Sequence, residues 1–191
     1  MTNIKPGWRS SALKKPFERT IVGFDLRKKS SLNNLFMTSG GDSGQYEEIL
    51  EKYQDQTNGL NLFPFDPSDI PSFTIPPDAR VVAFDLPTEF VTYLSKGNVS
   101  NPQPLPQATV DKSWEFMGFD IVDAYTQISA FYGFDRSPSD LREISEKAEF
   151  QFNGHGLIDS VEASIKAAAF FDAMAVEHAP FSPCGVWLKA G

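Results

Sequence analysis

Two aspartates in the densest hydrophobic stretch of the chain are the first candidates for chemistry. Asp120 and Asp123 interrupt the aromatic-rich segment 114–134 (WEFMGFDIVDAYTQISAFYGF). Paired carboxylates can serve as general acid and base or hold a metal ion. On a strand, residues at this spacing point to opposite faces, so the pair converges only on a turn. The simpler interpretation makes Asp120 a solvent-facing residue and Asp123 a strand-end residue that accepts backbone N–H bonds.

The two histidines and the single cysteine are the next candidates. His155 lies in a glycine loop and His178 follows the last predicted helix, a separation of 23 residues that fits no local metal-binding pattern. Both histidines could converge with Asp159 or Glu177 into a hydrolytic site. Alternatively, His178 caps the helix by bonding its last carbonyls. A nucleophilic Cys184 would need a base such as His178, and a buried inert thiol is the simpler interpretation.

The glycine-rich segment 39–44 (SGGDSG) precedes a predicted helix, which is the setting of many phosphate-binding loops. It lacks the Lys-Ser/Thr pair of a P-loop and the dinucleotide-binding fingerprint, and Asp42 would repel a phosphate. We therefore interpret this segment as a loop that caps the helix. These patterns assign no catalytic, cofactor-binding or metal-binding residue.

Composition and charge indicate a globular chain. The 191 residues are 41% hydrophobic and include 17 Phe, which suits one domain over 1–191 with a Phe-rich core. A net charge of −8 argues against direct binding of nucleic acid and suits a basic protein partner. One cysteine allows no internal disulfide, and no apolar run has the length of a signal peptide core or a membrane span. We expect a cytoplasmic protein.

Hydrophobic patterns along the chain predict an α+β fold. Strands and helices mix without regular βαβ alternation, which favours a single domain with a mixed or antiparallel central sheet packed with about three to four helices. The predicted strands span 20–26, 80–86, 114 to about 122, and 184–189, with a further short strand at 35–37. The predicted helices span 42–54, a short piece after Pro87, a segment with Ser137 as N-cap and Pro138 as its first helical residue, and 157–176. Residues 1–19 are expected to form an irregular N-terminal arm.

Two further patterns yield expectations about packing. Five prolines and several aromatic residues occupy 60–78, which predicts an extended segment with its aromatics tucked against the body. If those aromatics were exposed, the segment would instead be a docking surface for a larger assembly. A Phe-Asp dipeptide preceded by Gly or Ala recurs at 23–25, 83–85, 118–120 and 133–135 without a constant period. Each of these aspartates is expected to mark where a buried strand meets a turn.

Motifs in the second half of the chain resemble those of a known family. They are WEFMGFDIVD at 114–123, Ser129-Ala130, EHAPF at 177–181 and GVWL at 185–188. Over about 114–190 the chain resembles small acidic bacterial immunity proteins, the partners of polymorphic or contact-delivered toxins. The resemblance implies a protein that binds and neutralises a cognate toxin, such as a basic nuclease, without catalysis and without a cofactor.

The alternative function is that of a small cytoplasmic hydrolase or metal-dependent enzyme. Its site would use Asp120, Asp123, His155 or His178.

Overall fold

An antiparallel sheet of four strands forms the centre of the protein in the computed structural model. The structure describes residues 8–13, 17–32, 35–37, 62–63, 65–69, 71, 73–95, 109–124, 128–131, 138–175 and 178–191. In chain order the strands are β1 (Arg19–Lys28), β2 (Ala79–Pro87), β3 (Trp114–Asp123) and β4 (Phe181–Lys189). Their spatial order is β1-β2-β4-β3.

Three α-helices accompany the sheet within the described ranges. They are α1 (Thr88–Tyr93), α2 (Pro138–Lys147) and α3 (Val161–Met174). Short 3-10 turns occur at Ser10–Ala12, Lys29–Ser31 and Pro67–Asp69. The predicted α+β class is therefore confirmed, and the sheet is antiparallel. The helix predicted at 42–54 and the loop at 39–44 lie outside the described residues.

The four strands predicted at 20–26, 80–86, 114–122 and 184–189 are confirmed, and the last one is longer than expected. A further short strand expected at 35–37 is wrong, because these residues lie outside the four strands. β4 begins at Phe181 because that residue is paired with Asp123 at the end of β3. The longest predicted helix begins at Val161 and not at 157. Ser160 caps it by accepting the Ala163 N–H at 3.3 Å.

Residues 157–158, predicted as helix, are not helical, and Ile158 instead pairs with the outer edge of β3. The backbone N–H and C=O groups of Ile158 exchange two 2.8 Å hydrogen bonds with Phe119. The opposite edge of the sheet is covered in the same way, because Phe63 exchanges two 2.9 Å hydrogen bonds with Phe24 of β1. Both outer strands thus have backbone partners, which protects their edges from pairing with another chain.

The buried face of α3 differs from the predicted one. Val161, Ile165, Ala168 and Ala169 were the expected inward residues, and of these only Ala168 is fully buried. The buried residues of the helix are Ser164, Ala167, Ala168 and Phe171, which follow a regular i, i+3, i+4, i+7 pattern. Ser164 is tolerated there because its hydroxyl donates to Val161 O at 2.9 Å. A polar residue therefore begins the buried stripe, and a search for apolar positions alone misses it.

The Pro-rich stretch 60–78 packs against the sheet wherever the structure describes it. Phe63 is fully buried, and Phe65, Phe73 and Ile75 pack with it against β1 and β2. The expected extended segment with buried aromatics is confirmed for these residues. The alternative of an exposed aromatic docking surface is wrong for them, because their rings already cover the sheet.

The N-terminal residues that the structure describes are anchored to the core. Trp8 packs on Phe90 of α1 with ring centroids 4.6 Å apart, and Leu13 is buried. Aromatic packing thus ties residues 8–13 to the end of β2, where α1 begins.

Gly185 tests how tightly β2 and β4 are packed. A Cβ atom at this position would overlap Oδ1 of Asp85, whose buried side chain is already hydrogen-bonded to Trp187 and to the Gly185 backbone. Gly185→Ala is expected to lower the free energy of unfolding by about 2 kcal/mol, since neither strand can move away. Gly154→Ala is the matched control, because nothing lies within 4 Å of its added methyl group. Urea unfolding of both variants measures the difference, and equal stabilities would contradict the packing described for Gly185.

Candidate functional site

Asp120 lies at the centre of a buried hydrogen-bond cluster. Its side chain is fully buried and accepts three hydrogen bonds: from Met37 N at 2.7 Å, from Ile121 N at 2.7 Å and from Ser129 Oγ at 2.6 Å. The predicted solvent-facing position of Asp120 is therefore wrong. Segments far away in sequence cover this strand and supply the donors that a buried carboxylate requires.

Burial sets the protonation of Asp120. Removal from water raises its pKa from 3.8 to about 7, although the bonds from Ser129, Met37 and Ile121 and the charge of Arg27 act in the opposite direction. Because the folded-state pKa lies above the unfolded one, protonated Asp120 favours the folded state. This contribution to stability is complete below about pH 4 and is lost as the pH rises through about 7.

Asp25 and Arg27 form a second buried polar group, on β1. Arg27 Nε lies 2.8 Å from Asp25 Oδ2, and both side chains are almost completely buried. Arg27 also donates from Nη2 to Phe36 O at 3.2 Å. Removing one member of such a pair leaves an uncompensated buried charge. Through its bond to Phe36 O, the Arg27 side chain links β1 to the 35–37 segment.

Asp85 anchors a third polar group between β2 and β4. It accepts hydrogen bonds from Trp187 Nε1 at 2.6 Å and from Gly185 N at 3.2 Å, and Arg19 Nη1 lies 3.5 Å from its Oδ2. Burial raises the pKa of Asp85, and Arg19, Trp187 and Gly185 act against that rise. These contacts link the Asp85 side chain on β2 to the Gly185 backbone and the Trp187 indole on β4.

Aromatic rings surround the guanidinium of Arg19. Its Cζ lies 5.0 Å from the ring centre of Phe116, 5.1 Å from Trp187 and 5.6 Å from Phe119. The ring faces attract the cation and shield it from water, which strengthens its attraction to Asp85.

The recurring Phe-Asp dipeptide therefore has a structural explanation. Asp25, Asp85 and Asp120 lie within strands and not at the junction of strand and turn, so that expectation is wrong. Each carboxylate binds donors inside the protein. The signal available in the sequence was an Asp with apolar residues on both sides, a pattern of buried strands whose polar residues need internal partners. Asp135, in the fourth copy, lies outside the described residues.

Asp123 and the histidines do not form one cluster with Asp120. Asp123 ends β3 as expected. No bulge separates it from Asp120, so the two side chains lie on opposite faces of the strand. His155 lies in the turn that leads to the Ile158 bridge on β3, and its Nδ1 is 2.6 Å from Leu32 O.

His178 precedes β4 at the other end of that strand pair, near Asp123. The backbone N–H of His178 donates to Ala175 O at 3.0 Å, which is a backbone bond at the end of α3. Within the ranges that the structure describes, no group of three or more His, Cys, Asp or Glu residues is arranged to hold a metal ion. Asp159 bonds Asn153, and Glu177 lies outside those ranges.

Cys184 is the buried thiol that the sequence predicts. It is fully buried opposite Asp120 in the β3–β4 register, and its Sγ lies 3.7 Å from Met37 Sδ. Burial and the nearby Asp120 and Asp85 carboxylates raise the pKa of the thiol well above its usual value. Cys184 therefore stays a neutral thiol near pH 7, and nucleophilic chemistry needs the thiolate.

An open cleft lies between α2 and the beginning of α3, and we call it the α2–α3 cleft. Its volume is about 650 Å³, and its lining includes Arg142, Glu146, Glu149, Phe150, Asp159 and Ala163. The stretch 138–175 that builds it has seven acidic and three basic residues, a net charge of −4. That is half of the charge of −8 carried by the whole chain. No sequence pattern predicts this cleft, because its lining residues are brought together by the connection 148–160 between α2 and α3.

In comparisons with known proteins, no family model, no curated protein and no solved structure matches the chain. In the part of the chain that the structure describes, no helix is long and apolar enough to cross a membrane.

The Asp120 cluster predicts a pH-dependent effect for Ser129→Ala. At both pH values the variant loses the bond that Ser129 Oγ accepts from Phe131 N–H at 3.1 Å. At pH 8 the lost bond to the ionised Asp120 carboxylate costs about 2 to 3 kcal/mol more of unfolding free energy. At pH 5 Asp120 is protonated, and this added cost falls to about 1 kcal/mol. Urea unfolding at both pH values measures the two losses. Ser145→Ala, which removes only a bond to Arg142 O, is the control and should show no such difference. Equal losses for Ser129→Ala at both pH values would contradict the protonation described for Asp120.

Proposed function

We propose that this protein is an immunity-type protein that binds and neutralises a cognate bacterial toxin in the cytoplasm, without catalysis. The observation that carries the proposal is the α2–α3 cleft, a concave and open surface within a stretch that holds half of the net negative charge. A surface of this charge favours a basic partner, since complementary potentials speed the encounter and select the orientation.

A nuclease toxin is the partner whose chemistry suits this cleft. Nucleases bind phosphates through Lys and Arg side chains, and an acidic protein can occupy that same basic surface. Glu146, Glu149 and Asp159 supply carboxylates along the cleft, and Phe150 supplies an apolar wall. Binding there would block access of nucleic acid to the toxin without any chemical step in the immunity protein.

The side chains first considered for chemistry support a binding role, because they already serve the fold. Both oxygens of Asp120 accept hydrogen bonds, Cys184 is buried as a neutral thiol, and His155 bonds the Leu32 carbonyl. Two of the motifs in the resemblance to immunity proteins fall on the paired strands β3 and β4. The resemblance thus concerns the sheet, and the proposed toxin surface lies on the helices beside it.

The first experiment identifies the partner. The product of the neighbouring reading frame is produced in bacteria with and without this protein, and growth and physical association are measured. We expect growth to stop without this protein and to recover with it, together with a complex that survives purification. A neighbour that is harmless, or a toxic one that this protein neither binds nor neutralises, contradicts the proposal.

The charge of the cleft predicts the effect of reversing it. Glu146→Lys combined with Glu149→Lys should weaken toxin binding by at least about tenfold, mainly through a slower association rate, because attraction becomes repulsion. The control pair Glu89→Lys and Glu115→Lys makes the same change of charge at exposed positions on α1 and β3. Calorimetry and association kinetics at two salt concentrations measure the difference. Equal weakening by both pairs would mean that net charge, and not the α2–α3 cleft, governs binding.

A further inference from the structure

The 35–37 segment lies across the buried Asp120 cluster and is held by at least one hydrogen bond at each residue. Three of the bonds are Leu35 N–H to His155 O at 3.2 Å, Arg27 Nη2 to Phe36 O at 3.2 Å, and Met37 N–H to Asp120 Oδ2 at 2.7 Å. In addition, Met37 O accepts the Ser129 N–H at 2.8 Å. The segment is completely buried, and its Phe36 ring packs on Phe131 and Phe152.

Asp120 is the point where this segment, β3 and Ser129 meet. The Ser129 hydroxyl and the Met37 and Ile121 amides all donate to its carboxylate. If the 35–37 segment moves away, Asp120 loses the Met37 donor and gains access to water. The closed and open arrangements therefore place one carboxyl group in two very different environments.

We propose that Asp120 is a proton-controlled latch: the 35–37 segment stays closed over the sheet when Asp120 is protonated and opens more often when Asp120 is ionised. Opening hydrates the carboxylate, and a hydrated carboxylate holds its proton less tightly than a buried one. The closed state consequently binds the proton more strongly, so a rise in pH favours opening.

Ionisable groups lie near Asp120 on β1, on β4 and in the turn that contains His155. Arg27 on β1 supplies a permanent positive charge, shared with its ion-pair partner Asp25. Cys184 on β4 remains a neutral thiol, since its pKa is raised well above the usual value. Residues 35–37 and 128–131 contain no ionisable side chain. His155 contacts the 35–37 segment through its backbone carbonyl, while its ring bonds Leu32 O.

Hydrogen exchange at the Met37 amide tests the latch in the full chain. Its exchange rate, divided by the intrinsic rate at each pH, gives the equilibrium constant for opening. This constant should rise at least about tenfold between pH 5 and pH 7 and then level off, within the limit of tenfold per pH unit for one proton. The Phe24 amide, bonded to Phe63 O in the sheet, reports global unfolding and should exchange more slowly. Met37 exchange that is independent of pH, or that equals the exchange of Phe24, overturns the proposal.

Variants assign the pH dependence to Asp120. Asp120→Asn should make the opening constant of Met37 independent of pH, whereas Asp111→Asn, an exposed carboxyl bonded to Ser113, should leave the wild-type profile. If Asp120→Asn does not fold, Ser129→Ala serves instead. Loss of its bond to the ionised carboxylate should move the levelling-off to a higher pH. An unchanged profile in the folded variant, whichever of the two is used, overturns the latch.

Discussion

The burial of the Asp120 carboxyl group away from water is the constraint on which the rest of the structure depends. Asp120 is fully buried, and such a group is tolerated only where donors surround it or where it holds a proton. The protein meets both conditions in part. Three donors converge on Asp120, and burial still raises its pKa to about 7. Because the Met37 amide and the Ser129 hydroxyl come from segments distant in sequence, satisfying this one group also fixes how those segments dock on β3.

The same requirement organises the other strands. Asp25 is neutralised by Arg27 on its own strand, while Asp85 on β2 binds the backbone and the indole of β4. These polar groups sit among apolar neighbours, so each one specifies a register that hydrophobic packing alone would leave less defined. While these buried carboxylates bind donors inside the protein, Glu146, Glu149 and Asp159 line the α2–α3 cleft, which is open to a partner.

Local sequence signals predicted much of the fold. Short hydrophobic runs located all four strands, and Pro138 marked the beginning of α2 as expected. Some predictions failed because they depended on partners distant in sequence. Two donors to Asp120 lie 83 and 9 residues away, so its burial could not be predicted from its neighbours in the sequence. Residues 157–158 were expected in a helix, but Ile158 pairs with Phe119 of β3. The cleft was missed for the same reason, since no spacing in the sequence brings Glu146 and Asp159 together.

The protonation of Asp120 tests the account most directly. A carbon-13 NMR titration of its carboxyl group in the folded protein should give a midpoint near pH 7, and the Met37 amide resonance should shift with the same midpoint. A shared midpoint would establish that a buried carboxyl holds the 35–37 segment and responds to protons there. A midpoint near the ordinary value of 3.8, or a Met37 resonance that ignores the titration, would contradict the central place given to this residue.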